Sequence, residues 1–173
     1  MAGQTPALSF NTTFDAETGH PVTLAPGLVR ITAPNAGPYT FKGTNSFIVG
    51  HDRVAVIDPG PDDGAHLAAL TSAIAGRPVE AIILTHTHVD HSALVPRLKA
   101  VTGAPVWSGG KHRLSRARRL FEVNAVGRES DWSLVPERVL QDGEPLLIDG
   151  ITLEVIATPG HCANHLAFGL VGH

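Results

Sequence analysis

Thr85-His86-Thr87-His88-Val89-Asp90-His91 follows the apolar run Ala81-Ile82-Ile83-Leu84 without a break. Four continuous apolar residues read as a buried strand, and polar groups crowded at its end need solvent or a shared partner. In an extended segment residues i and i+2 face one side, so His86 and His88 aim at one point. Asp90 keeps that parity but stands near a helix start, where the backbone turns it toward a second point, and His91 projects differently. A second strand-like run, Ile151-Thr152-Leu153-Glu154-Val155-Ile156, ends in Thr158-Pro159-Gly160-His161. His161 therefore completes a three-histidine set with His86 and His88. Zinc in imidazole-rich sites takes three or four donors at about 2 Å, which strand-end loops supply without burying unpaired charge. A histidine-rich surface loop, or Asp90 capping a helix with no metal, is the plainer reading of the same residues. Two strand ends converging favour the metal.

The bulk of the chain suits one ordinary domain. It has 173 residues, is 43% hydrophobic and 17% charged, and carries a net charge of −3, which gives no bias toward nucleic acid or membrane. One cysteine, Cys162, excludes an internal disulfide and fits a reducing compartment. No apolar run approaches a membrane span and the first residues lack a signal-peptide pattern, so a cytoplasmic location with no membrane partner is expected. The histidines at positions 20, 51, 66, 112 and 173 lie in scattered contexts where a solvated or locally bonded ring is the default.

Residues 1–26, rich in Thr, Pro, Gly and Ala, read as an irregular arm, and 27–173 as the domain. Strands are expected over 27–32, 45–49 and 53–57, with Gly50-His51-Asp52 as the turn between the last two. Asp62 or Asp63 caps a helix over 64–75, and 79–84 is a short buried strand. A helix over 93–101, a strand at 105–107, a helix over 111–121 and a hairpin of 139–148 with 152–157 follow. A helical turn from His161 leads to a last strand over 166–171. Strands alternating with helices indicate an α/β layered fold.

His86-Thr87-His88-Val89-Asp90-His91, Asp58-Pro59-Gly60 and Thr158-Pro159-Gly160-His161 together resemble the metallo-β-lactamase-fold hydrolase superfamily, from roughly Gly27 onward. The resemblance implies a four-layer αββα sandwich with a dinuclear zinc site at its sheet edges. By position, His86, His88 and His161 resemble the ligands of a first ion, and Asp90 and His91 those of a second. Asp58 matches an acidic residue that supports the ligand loop from behind, although an Asp-Pro-Gly turn serves equally as its explanation. The final histidine of the HxHxDH pattern is similar to glyoxalase II and the lactamase-like ribonucleases, and is lacking in the best-known zinc β-lactamases. Cys162 reads as a small buried thiol, and His165 as a residue supporting the site from behind.

Family members carry a metal-bridging aspartate and a further histidine beyond the strand that ends this sequence. The chain thus resembles the front two-thirds of the fold, incomplete at its C-terminal side, and one zinc ion or none is expected here where the full-length family holds two. Missing strands would leave an open edge, from which association as a homo-oligomer is expected. The resemblance implies hydrolysis by a metal-bound hydroxide, with Asp90 as the catalytic residue orienting it. The basic run Lys111–Arg119 reads first as a solvated cationic helix face and otherwise as a surface for an anionic substrate, and the segment Gly43–Val49, similar to the ribonuclease-related lactamase-like members, tilts the substrate toward a phosphodiester. A glyoxalase II-like thioester hydrolase is the alternative, and a non-catalytic fragment with a vestigial metal site is another.

Overall fold

The computed structural model describes residues 12–117, 119 and 127–172. β1 (Pro21–Ala25) and β2 (Leu28–Thr32) pair as an antiparallel hairpin, so the irregular arm expected through residue 26 ends earlier. Gly27, at φ +72°, supplies the turn that the Thr- and Pro-rich composition hid. β3 (Asn45–Val49) and β4 (Val54–Ile57) continue the antiparallel meander. The turn between them needs Gly50: at φ +120°, an added Cβ would stand 2.0 Å from the Arg53 carbonyl oxygen.

From β4 onward the pairing becomes parallel. α1 (Gly64–Ile74) is capped by Asp63, whose Oδ1 accepts the His66 N–H at 2.7 Å, as expected of an acidic residue at a helix start. It leads to β5 (Val79–Ile83), parallel to β4. One helical turn, α2 (Val89–Ser92), and then α3 (Val95–Thr102) lead to β6 (Val106–Ser108), which is parallel to β5. β7 (Arg138–Val139) closes this seven-stranded sheet. β8 (Pro145–Ile148), β9 (Ile151–Ala157) and β10 (Leu166–Leu170) form a separate antiparallel sheet in the order β10-β9-β8.

Period-two alternation makes the layers. Val54 and Val56 on β4, with Ile82 and Leu84 on and after β5, face α1 and α3 through Leu70, Ile74 and Leu98. Ala55, Ile57, Ala81 and Ile83, on the opposite parity, face the second sheet through Leu146, Ile148, Leu153 and Val155. Both faces of β4 and β5 are covered, which is why these two strands are continuously apolar. The result is an α/β, metallo-β-lactamase-like sandwich of which three layers, helices, sheet and sheet, lie among the described residues. The outer face of the second sheet leaves Leu147 68% and Ile156 39% exposed.

Three further expectations are corrected. The single strand foreseen over 139–148 is divided between the two sheets, because Asp142-Gly143 turns the chain with Gly143 at φ +74°. Residues 111–117 form no helix; Arg113, Arg116 and Arg119 would stand three apart on one helical face, where like charges repel. The rest of that expected helix, positions 118, 120 and 121, lies outside the described residues, as does His173. The segment from His161 to His165 is bends and a turn instead of a helical turn.

Candidate metal centre

Asp58 and the histidine loop meet because β4 and β5 run parallel and end side by side, the usual place for functional groups in such sheets. Asp58 takes a left-handed backbone, φ +50°, which Asp tolerates better than most residues. The residue is 3% exposed, and its carboxylate is engaged entirely with the loop. Oδ1 accepts the Thr85 backbone N–H at 2.8 Å; Oδ2 accepts the Thr85 hydroxyl at 2.6 Å and His91 Nδ1–H at 2.8 Å. Having donated its proton to Asp58, Thr85 Oγ1 accepts His86 Nδ1–H at 2.9 Å. This chain of bonds assigns the same tautomer to His86 and His91: Nδ1 carries the proton and Nε2 presents a lone pair.

His86 Nε2 has no hydrogen-bond partner although the residue is buried. Burial, reinforced by the neighbouring histidines, pushes its pKa down to about 2, so the ring is neutral at any physiological pH. A buried, neutral imidazole with an unpartnered lone pair is the state a divalent cation requires of a ligand. His88 lies in extended backbone at the start of α2 and His161 in the loop after β9. His88 Nδ1 stands 3.0 Å from His161 Nε2, and the three ring centroids are 4.6–4.9 Å apart. One donor atom from each of His86, His88, His161 and Cys162 falls within 4.8 Å of the others. Burial lowers His88 as well, with His161 adding to the effect.

Asp90 and His91 form a second group beside the first. Asp90 Oδ2 lies 3.4 Å from His91 Nε2 and accepts the Thr44 hydroxyl at 3.2 Å. Asn35 holds Thr44 in turn, donating from Nδ2 to its hydroxyl at 3.0 Å and accepting its backbone N–H at 2.9 Å. Burial alone would lower His91, but the hydrogen bond and charge of Asp58, with the charge of Asp90, outweigh it and raise the pKa. His86, His88, Asp90, His91 and His161 all line one cleft of about 380 Å³, with Tyr39 at its rim.

His165 is not one of the converging donors. Its Nδ1 lies 2.7 Å from the Thr158 hydroxyl, and its ring packs 5.0 Å from that of His86, so it props the β9 strand end against the site. Thr87, of opposite parity to the two histidines, is fully buried on the far side between His112 and Asn164. Spacing alone assigns no role to Thr85, Thr44 or Asn35. Thr44 is 46 positions from Asp90, and only the β2–β3 connection brings it there.

The fold has counterparts. Residues 39–173 match the metallo-beta-lactamase superfamily, and the chain belongs to it. A metallo-beta-lactamase family protein of Thermus thermophilus superposes with a TM-score of 0.64 at 30% identity, covering 86% of this chain and 57% of its own. The Beta-lactamase-like protein 2 homolog of Caenorhabditis elegans is 29% identical over 151 residues, 85% of this chain and 47% of that protein. An atrochrysone carboxyl ACP thioesterase of Pseudocercospora fijiensis is also 29% identical over 151 residues, 84% of this chain and 39% of that protein. The chain thus spans under half the length of these two relatives. Among the described residues no helix is long and apolar enough to cross a membrane.

Proposed function

We propose that the chain carries the metal-binding part of a hydrolase site, with His86, His88 and His161 holding one divalent ion, zinc in the first place. The observation that carries this reading is the buried, unpartnered Nε2 of His86 among converging donors from His88 and His161. When bound, such an ion supplies Lewis acidity and a nucleophilic water at neutral pH. The chain's own residues prepare the rest. Asp58 and Thr85 lock the two imidazole tautomers, and Asp90, held by Thr44, is the catalytic carboxylate that orients the attacking water. Asp90 and His91 together begin a second cation site.

For the bond broken, we favour an acyl thioester. Relatives at 28–29% identity, matched over 84–85% of this chain, bear the name atrochrysone carboxyl ACP thioesterase. A phosphodiester is the second reading, supported by a smaller cleft of about 160 Å³ that adjoins His88 and His161. His112, Arg113 and Ser115 line it, and among the described residues no carboxylate does. Purified chain is assayed with a small acyl thioester and with bis(p-nitrophenyl) phosphate in parallel. The expected result is thiol release that a chelator stops, zinc restores and His86→Ala abolishes. Turnover of the phosphodiester alone would replace the substrate class. Zinc-loaded chain inert toward both would favour a non-catalytic role.

A further inference from the structure

Cys162 is the member of the donor cluster that the proposed reaction leaves unused. Its side chain is buried, and its carbonyl accepts the backbone N–H groups of Gly160 and His165, each at 3.3 Å, which anchors the residue in the β9–β10 loop. Sγ lies 3.2 Å from His88 Nε2, while Nδ1 of the same ring lies 3.0 Å from His161 Nε2.

A neutral imidazole has one lone pair and one N–H, so only one of these two contacts belongs to a metal. Tetrahedral nitrogen donors at about 2.0–2.1 Å from one ion stand about 3.3 Å apart, close to the His88–His161 separation. His88 Nδ1 is therefore the nitrogen facing the ion, and Nε2 carries the proton toward sulfur. Metal-ligating histidines almost always donate their second N–H to a carboxylate, a carbonyl or water, which fixes tautomer and ring orientation. Here a thiol occupies that place.

We propose that Cys162 is a positioning residue for the metal: Sγ accepts the His88 Nε2–H bond and so presents Nδ1 to the ion. The proposal rests on the metal reading above. Asp58 and Thr85 set His86 and His91 from one side of the cluster, and Cys162 sets His88 from the other.

The test uses the intact chain loaded with cobalt(II), as wild type, Cys162→Ala and Cys162→Ser. Wild type should show cobalt ligand-field bands without a near-ultraviolet sulfur-to-cobalt charge-transfer band. Cys162→Ala should lose roughly 10–100-fold in affinity, the range for removing such a partner, and Cys162→Ser, which keeps an acceptor, should regain most of it. A readout that needs no variant is the side-chain ¹⁵N spectrum of zinc-loaded wild type, where His88 should carry its proton on Nε2. A charge-transfer band, making sulfur a ligand, would overturn the proposal. So would unchanged affinity in Cys162→Ala, or a proton on His88 Nδ1. Wild type that binds no cobalt at all would refute the metal reading itself, and this inference with it.

Discussion

Replacing Asp58 by Asn changes one buried atom and should disturb three properties at once. The amide keeps the size of the carboxylate but brings an NH₂ group into a site where every neighbour is a donor. If Nδ2 takes the Oδ1 place it faces the Thr85 backbone N–H; in the Oδ2 place it faces the Thr85 hydroxyl and His91 Nδ1–H. At least one hydrogen bond to a charged acceptor is lost in either orientation, at about 1.5–3 kcal/mol. With a urea slope of about 2 kcal/mol per molar for a domain of this size, the unfolding midpoint of the metal-free chain should fall by about 1 M. Zinc affinity, measured against a competing chelator, should fall roughly 10–100-fold because the His86 and His91 rings lose their common anchor. The pKa of His91, followed by NMR, should drop, since without Asp58 burial prevails. An Asp58→Asn chain with an unchanged urea midpoint and unchanged zinc affinity would refute the reasoning.

Acid should destabilise the metal-free chain. Burial lowers His66 and His86 below their unfolded value, so their contribution is fully present above about pH 6.5 and is lost as pH falls, worth about 2 kcal/mol at pH 5 for His86. His91, raised in the fold, works in the opposite direction: its contribution is present below about pH 6.5 and lost as pH rises through its folded value. Burial also lowers His88, His112 and His165, so five rings act against the one that is raised, and the urea midpoint should be lower at pH 5 than at pH 7.5; equal midpoints would contradict the assignment. Ile148→Ala, at a fully buried position between the sheets, should cost about 2–5 kcal/mol, whereas Leu147→Ala, 68% exposed on the same strand, should stay within about 0.5 kcal/mol. Denaturation curves showing similar losses would mean the register of β8 is wrong. Thr44→Ala should weaken occupancy of a second cation by about tenfold and leave the first unaffected, as read by two-step zinc titration.

What the sequence makes legible is what lies close together along it. His86, His88, Asp90 and His91 fall within one six-residue stretch shortly after a strand, and backbone parity alone separates the two inward-facing rings from Thr87. Asp58 is readable as a strand-terminating residue, but its service to three donors beyond the end of β5, two on Thr85 and one on His91, required the parallel pairing of β4 with β5. Thr44 and Asn35 are not legible, because a hydroxyl and an amide in a connection carry no periodic signal. The contact of Cys162 with His88 is hidden for a related reason. Adjacency to His161 says nothing about which nitrogen of a ring 74 positions away the sulfur meets. The strand expected over 139–148 fails where Gln141-Asp142-Gly143-Glu144 interrupts the apolar run, a turn signal that marks the passage from one sheet to the other. The basic run from Lys111 reads as a helix on composition, against the mutual repulsion of its arginines.

X-ray absorption spectroscopy of the zinc-loaded chain tests the central claim most directly, because it counts the imidazoles bound to the ion. The account predicts one zinc held by three imidazoles, with a nitrogen or oxygen shell at about 2.0–2.1 Å and no sulfur at about 2.3 Å. Zinc held by carboxylates alone, or by fewer than two imidazoles, would contradict it.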